Sequence, residues 1–186
     1  GFLFGWLIFK LLLLCCSNWS PYRSRKIFGW LQLCSAGFMA FSHGRNDAQK
    51  PMGILVMILA IYFGIENPTV PIWVILSVGL VAGIGVAYGG WRIIKTLGMK
   101  ITSLSPEQGF AAETSAAQVL QVASIFGVPV STTHTITSSI VGAGVAKKFS
   151  SVRWGIVLDI LISWILTLPA TIAFGWIFAK IMQTIL

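Results

Sequence analysis

Charged residues are scarce in this sequence of 186 residues. Asp, Glu, Lys and Arg together make up only 10% of the chain, whereas 56% is apolar and the mean hydropathy is +0.85. An ordinary soluble domain has about 25% charged residues. This composition therefore excludes an ordinary soluble domain. Several apolar runs approach or exceed the roughly 18–20 residues that cross a hydrocarbon layer as a helix. We therefore predict an all-α integral membrane protein.

Acidic residues are the scarcest charged class, with five against 13 basic residues and a formal net charge of +8. A basic chain can bind nucleic acid, but here the basic residues do not form a soluble face. Three tracts between apolar runs hold three basic residues each: Arg23, Arg25 and Lys26; Arg92, Lys95 and Lys100; and Lys147, Lys148 and Arg153. Basic residues that border spans mark the cytoplasmic side. We expect no nucleic-acid partner.

Cysteine and histidine are also rare. Cys15, Cys16 and Cys34 have neither the spacing of a metal site nor the even count of a disulfide framework. His43 and His134 have no further Cys or His ligand near them in sequence, which disfavours a metal centre. We expect the two histidines to orient the backbone of their own segments by hydrogen bonds.

The chain begins with Gly rather than Met, and residues 1–16 read as the remnant of a transmembrane span. No basic region precedes this run and no convincing cleavage site follows it, which disfavours a signal peptide. We expect the sequence to be the C-terminal part of a longer protein. Residues 17–32 are predicted to form a basic cytoplasmic or interfacial linker. The rest, residues 33–186, divides into a span at 33–64, a span at 70–90, a basic loop at 91–108, a hairpin at 109–146 and a span at 154–179.

The stretch 126–134, Phe-Gly-Val-Pro-Val-Ser-Thr-Thr-His, predicts a break between two helices. Pro129 cannot continue a helix, and the hydroxyl residues 131–133 favour the start of a new one. The second arm, residues 135–146, is too short to cross a bilayer, which favours a re-entrant hairpin. Free N–H groups at the start of that arm would suit an anion. A plain loop with capping hydroxyls remains the alternative.

Residues 42–50, Ser-His-Gly-Arg-Asn-Asp-Ala-Gln-Lys, place charges within the apolar stretch 33–64. Charges at membrane depth are costly unless they face a cavity or a partner. The alternative is an aqueous turn between two spans. Residues 33–41 are too few to cross as a helix, which argues against that turn. The pattern therefore favours a polar site within a span.

These two stretches together resemble the inorganic phosphate transporter (PiT) family of secondary transporters. Residues 42–50 with Met52-Gly53-Ile54 are similar to its G-x-N-D-A/V signature, and residues 127–134 are similar to its G-x-P-V-S-T-T-H element. Further likenesses to bacterial members lie at 90–95, 112–114 and 152–155. The resemblance runs from about Pro21 to the C-terminus, and it is to the C-terminal half of a bacterial-type member.

The resemblance implies both fold and function. The family consists of two inverted-topology halves, each with one Asn-Asp motif and one Ser-Thr-Thr hairpin, and residues 33–186 would be the second transporter repeat. It implies phosphate symport with a sodium ion or a proton, by alternating access, in a multi-pass protein of the bacterial cell membrane. Neither enzymatic activity nor another cofactor is expected. The expected partners are inorganic phosphate, the lipid bilayer and the missing N-terminal half, with a homodimer left open.

The resemblance also implies roles for individual residues. Asn46 and Asp47 would bind the coupling cation, and Ser131, Thr132 and Thr133 would contact phosphate or the cation. Carboxylate, amide and hydroxyl oxygens suit a hard cation such as sodium. Hydroxyls and helix-terminal N–H groups suit a phosphate anion. No metal is expected beyond the coupling cation.

Arg45 and Pro51 depart from the family pattern, which has a small residue at the first position and commonly a hydroxyl residue at the second. Arg45 could contact phosphate in a bidentate way, pair with Asp47, or extend away from the site. We rank the pairing with Asp47 slightly above the phosphate contact.

Glu113, in the first arm of the hairpin, is the candidate for a proton-coupled carboxylate in the coupling-cation site. The alternative is a buried acid paired with a nearby Lys or Arg. Gln118 and Gln121 lie on the same arm, and we expect them to form helix–helix hydrogen bonds.

Three other functions compete with phosphate transport. Sulfate is the nearest competing substrate, and a non-transporting membrane subunit is a second alternative. An intramembrane hydrolase using Ser131 or Thr133 with His134 is disfavoured, because adjacent residues do not make a triad and no nucleophile elbow is present.

Overall fold

The computed structural model describes the backbone of residues 1–185, with all their side chains except those of Arg92 and Ile185. Its α-helices are α1 (Phe2–Cys15), α2 (Pro21–Phe63), α3 (Ile72–Lys95), α4 (Pro106–Ile125), α5 (Thr132–Lys147) and α6 (Trp154–Ile185). A π-helical turn at Thr96–Lys100 follows α3, and a 3-10 turn at Phe149–Ser151 follows α5. No strand occurs within residues 1–185. The all-α prediction is confirmed.

The described chain divides into two compact units, Gly1–Val152 and the part that starts at Arg153. The second unit consists of α6. In the first unit, α4 and α5 form a hairpin, and α1 packs against both of its arms. Helix α2 packs along α4, and α3 packs on α2. The first unit therefore contains both motif-bearing stretches.

Helix α2 runs without a break through the 43 residues from Pro21 to Phe63. Ser20 caps its start, because its hydroxyl oxygen accepts the Arg23 N–H at 3.3 Å. Gly64 ends it with a φ of 65°, a left-handed conformation that suits glycine. At 1.5 Å per residue the helix is about 65 Å long, roughly twice the thickness of a hydrocarbon core.

Helix α2 includes most of the predicted linker at 17–32 and nearly all of the predicted span at 33–64. Residues 42–50 are helical throughout, and the alternative of an aqueous turn at that place is wrong.

The predicted sequence of helix, break and helix is confirmed at the hairpin. Helix α4 ends at Ile125, and Gly127 adopts a φ of 66°, which lets the chain turn away. Helix α5 starts at Thr132, with Ser131 as its N-cap. The hairpin interior is made of small residues, and Ala111, Ala116, Ala117 and Ala143 are fully buried.

Glycines allow α1 to approach the hairpin closely. A Cβ atom on Gly5 would collide with the Ser139 backbone, and one on Gly142 would collide with the Phe2 carbonyl. Since no side chain fits between the two backbones, α1 is an integral part of the first unit rather than an appendage.

Two helices have segments long and apolar enough to cross a membrane, Ile72–Trp91 in α3 and Trp154–Thr184 in α6. Only 11% and 6% of their apolar stretches are buried inside the chain. An apolar helix in the core of a soluble protein would be mostly buried. The exposed apolar surfaces therefore agree with a membrane protein.

Polar side chains join α2 to α4 along most of α4, and we call this contact the α2–α4 seam. Ser24 donates to Glu107 at 2.8 Å, Ser35 donates to Glu113, and Gln121 donates to Ser42 at 3.0 Å. Residue numbers rise together on both helices, so α2 and α4 run parallel. The seam leads from the start of α4 to the break that precedes α5.

Candidate functional site

The two motif-bearing stretches meet at the tip of the hairpin. The hydroxyl of Thr132, at the start of α5, donates to Asp47 Oδ2 on α2 at 2.9 Å. Thr132 is almost fully buried, with 4% of its surface exposed. The two residues are 85 positions apart in the sequence, so this bond depends on the tertiary fold.

The buried side chain of Asn46 connects α2 to the break that precedes α5. It is buried, and its Nδ2 donates at 3.0 Å both to Asp47 Oδ1 and to the carbonyl oxygen of Val130. Val130 lies in the break just before α5, and its carbonyl is a backbone group. The Asn46 side chain thus holds a carboxylate oxygen and a carbonyl oxygen around one point.

Two basic side chains contact the Asp47 carboxylate. His43 Nδ1 lies 3.3 Å from Oδ2, and Lys50 Nζ lies 3.1 Å from Oδ1. His43 therefore contacts a carboxylate, where we expected a backbone contact. Lys50 also donates to the Val130 carbonyl at 3.0 Å. The sequence analysis did not assign Lys50 to the site, although a spacing of three residues from Asp47 on a helix indicates such a pair.

Arg45 does not pair with Asp47, so the ranking in favour of that pair is wrong. Its Nη1 donates to Gln121 Oε1 on α4 at 3.1 Å. Gln121 in turn donates to the buried Ser42 hydroxyl at 3.0 Å. The expected helix–helix role of Gln121 is confirmed. The partner of Arg45 is on α4 because successive residues of a helix point in different directions, about 100° apart.

The N-terminus of α5 carries donors at the same tip. The first intrahelical bond runs from the Thr135 N–H to the Ser131 carbonyl at 3.0 Å. The Ser131 hydroxyl accepts the His134 N–H at 3.3 Å, so the N–H groups of Thr132 and Thr133 precede the helical ladder. The side chains of Ser131 and Thr133 are exposed. This arrangement can bind an anion.

Glu113 lies apart from the other predicted site residues. It accepts the Ser35 hydroxyl hydrogen bond, and Gln32 is its second side-chain partner. Ser35 precedes Asp47 by twelve residues on α2, about 18 Å along the helix axis at 1.5 Å per residue. No Lys or Arg among the described side chains forms an ion pair with Glu113.

The tip brings together Asn46, Asp47, Ser131, Thr132 and Thr133, with Arg45 at its edge. Its oxygens come from one carboxylate, the Val130 carbonyl and hydroxyls, a set that suits a hard cation. Within residues 1–185, no group of three or more His, Cys, Asp or Glu could hold a metal ion. The tip thus presents oxygens of the kind that hard cations bind next to a helix N-terminus of the kind that anions bind.

The comparisons with known proteins point to one family. The profile of the phosphate transporter family matches residues 14–175. The chain is 44% identical, over 170 residues, to a probable low-affinity inorganic phosphate transporter of Rhizobium meliloti, covering 88% of this chain and 51% of that protein. It is 34% identical over 186 residues to a protein of the same description from Bacillus subtilis, covering 100% of this chain and 56% of that protein.

A solved structure agrees with these sequence matches. The sodium-dependent phosphate transporter superposes with a TM-score of 0.70 at 30% identity, covering 82% of this chain and 40% of that chain. The chain spans about half the length of the two bacterial relatives described above.

Proposed function

The chain belongs to the phosphate transporter family, and we propose that it forms one half of a symporter that carries inorganic phosphate with a cation. The observation that carries the proposal is the Thr132–Asp47 hydrogen bond of 2.9 Å. This bond joins the N-terminus of α5, which we assign to the anion, to the Asp47 carboxylate, which we assign to the cation. The family is one of transporters rather than enzymes, and this site has no role for a covalent step.

The proposal assigns phosphate to the N-terminus of α5. The exposed hydroxyls of Ser131 and Thr133, together with the N–H groups that precede the helical ladder, donate to phosphate oxygens. Thr132 contributes its N–H, since its hydroxyl is bonded to Asp47. Arg45 adds positive charge from the Gln121 side of the tip. A guanidinium has five N–H donors, and the bond to Gln121 uses one of its nitrogen atoms.

We assign the coupling cation to a position among the oxygens around Asp47. The Asp47 carboxylate is the side-chain ligand, Asn46 orients it through the bond from Nδ2, and the hydroxyls of Ser131 and Thr132 border it. A cation here offsets the charge of the neighbouring phosphate, which would otherwise be very costly at membrane depth. Glu113 contacts Ser35, which lies about 18 Å from Asp47 along the α2 axis, so we assign Glu113 to a separate proton-binding position rather than to this cluster.

We further propose that α4 and α5 form a re-entrant hairpin within the membrane, and that the other half of the binding site comes from an inverted repeat in a longer protein. Substrate then binds near the midplane, and one repeat moves against the other to give alternating access. The protein would be multi-pass in a bacterial cell membrane, and this chain alone would not transport phosphate.

Labelled phosphate uptake tests the proposal. The intact protein that contains this chain is reconstituted in proteoliposomes, and sodium and proton gradients are imposed separately. Uptake that follows sodium supports the Asp47 cluster as the cation site, and uptake that follows protons moves the coupling role to Glu113 or Asp47. Sulfate uptake that exceeds phosphate uptake would make sulfate, rather than phosphate, the proposed substrate. The absence of uptake of either anion under both gradients would overturn the transporter proposal.

A further inference from the structure

Lys50 occupies a position at the hairpin tip that none of the roles above uses. Its Nζ lies 3.1 Å from Asp47 Oδ1 and 3.0 Å from the Val130 carbonyl oxygen. The first oxygen belongs to α2, and the second belongs to the break that leads into α5. The ammonium group therefore bridges the two elements that form the site.

The two oxygens that Lys50 bridges are those that a free hard cation would bind. A carboxylate oxygen and a backbone carbonyl oxygen are typical ligands of such ions. The Asn46 amide donates to the same two oxygens at 3.0 Å each, so both oxygens already point toward a common region. A Lys ammonium is a compact point charge with three donors, and it neutralises this oxygen pair without a bound ion.

A plain surface ion pair explains only one of the two contacts. Asp47 and Lys50 are three residues apart on α2, a spacing that brings side chains together on any helix, and such pairs contribute little when exposed. The bond to Val130 spans 80 sequence positions and requires the hairpin tip. Arg45, in the same motif, offers a contrast, because its guanidinium is bonded to Gln121 and not to this oxygen pair.

We propose that Lys50 is a tethered cation, whose ammonium group competes with the free coupling cation for the Asp47–Val130 oxygen pair. This inference rests on the proposed function. With the ammonium in place, this half of the transporter carries its own counter-charge for Asp47 and responds weakly to external cations. The side chains of Lys50 and Asp47 are 43% and 40% exposed, so a dissolved cation can reach the pair once the ammonium leaves.

The test compares thermal unfolding of the intact protein in sodium chloride and in choline chloride at equal ionic strength. Lys50→Met removes the charge and keeps much of the side-chain length. We expect this variant to be stabilised by sodium at a concentration at least about tenfold lower than wild type, because one nearby positive charge no longer competes. Lys95→Met, which removes an exposed lysine at the end of α3, is the matched control and should respond as wild type.

A double variant shows whether the sodium response depends on the oxygen pair. The double variant Lys50→Met with Asp47→Asn should lose the gain, because the free cation then lacks its carboxylate ligand. A sodium response of Lys50→Met equal to that of wild type, or a gain that persists without Asp47, would overturn the proposal. If Lys50→Met does not fold, Lys50→Gln serves instead, since its amide can still donate to one of the two oxygens.

Phosphate uptake separates this inference from the proposed function. Uptake by the Lys50→Met protein should depend more steeply on sodium than uptake by wild type. Wild-type protein that takes up no phosphate under any gradient would defeat the proposed function. The sodium dependence of unfolding would still report on Lys50 in that case, because the unfolding measurement does not require transport.

Discussion

Asp47 and Glu113 are both half-buried carboxylates that accept a hydroxyl hydrogen bond from a neighbouring helix, but their other partners differ in charge. Thr132, Asn46, His43 and Lys50 surround Asp47. Glu113 has the uncharged partners Ser35 and Gln32. The Asp47 carboxylate at the hairpin tip therefore has basic partners, whereas the Glu113 carboxylate in the middle of the α2–α4 seam has only neutral side-chain partners among the described contacts.

The largest effect is expected for Asp47→Asn. The substitution keeps the shape of the side chain but leaves Lys50 and His43 without their negative partner, and it removes the carboxylate that we propose as a cation ligand. Because charge-assisted hydrogen bonds contribute about 1.5–3 kcal/mol, we expect phosphate uptake by the intact protein to fall at least about tenfold. Glu66→Gln, in the exposed loop between α2 and α3, is the matched control. Unchanged uptake by Asp47→Asn would remove Asp47 from the site.

A smaller effect is expected for Glu113→Gln, measured as the unfolding temperature of the intact protein. The amide oxygen of Gln can still accept the Ser35 hydroxyl, and no cation loses its partner, so we expect a shift within about 2 °C. Glu113→Leu removes the acceptor and should lower the unfolding temperature more, because a buried hydrogen bond contributes about 1 kcal/mol. If Glu113→Gln destabilises the protein as much as Asp47→Asn does, the distinction between the two carboxylates fails.

The smallest effect is expected for Glu107, at the start of the seam and in the segment predicted to be cytoplasmic. Burial alone would raise the pKa of Glu107, but hydrogen bonds from Ser105, its own backbone and Ser24, with the nearby charge of Arg25, bring its pKa below the ordinary value of 4.5. Ionised Glu107 therefore contributes stability at pH values above 4.5, and this contribution is lost as the pH falls through the lowered pKa.

The measurement for Glu107 is the unfolding temperature between pH 3 and pH 7. Wild type should lose more stability than Glu107→Gln below pH 4.5, because only wild type has this carboxylate to protonate. Parallel curves for the two proteins would show that the hydrogen bond from Ser24 does not depend on the charge.

The break in the hairpin was readable from sequence because its causes are local. Pro129 cannot be helical, and Ser131 has the hydroxyl that a helix start requires. The meeting of the two polar stretches was expected only from the family resemblance, since 85 positions separate Asp47 from Thr132. Composition and motif spacing alone did not predict that the two stretches lie close together in space.

The partners of Arg45 and Lys50 could not be read from sequence. Arg45 contacts Gln121 because α2 and α4 run parallel in a fixed register, which is a property of the tertiary fold. One of the two acceptors of Lys50 is the Val130 carbonyl, a group that every residue has and that no pattern of side chains marks. The continuity of α2 was not predicted for a different reason, because the basic residues Arg23, Arg25 and Lys26 indicated a linker separate from the span that follows.

The α2–α4 seam has a mechanical consequence. Its bonds at Ser24, Ser35 and Ser42 involve side chains at different heights along one pair of parallel helices. Sliding α2 along α4 by one helical turn, about 5.4 Å, would break all three bonds at once. The three hydrogen bonds therefore resist a shift of α2 along α4 together. Any rearrangement that keeps these bonds moves α2 and the hairpin together as one rigid body.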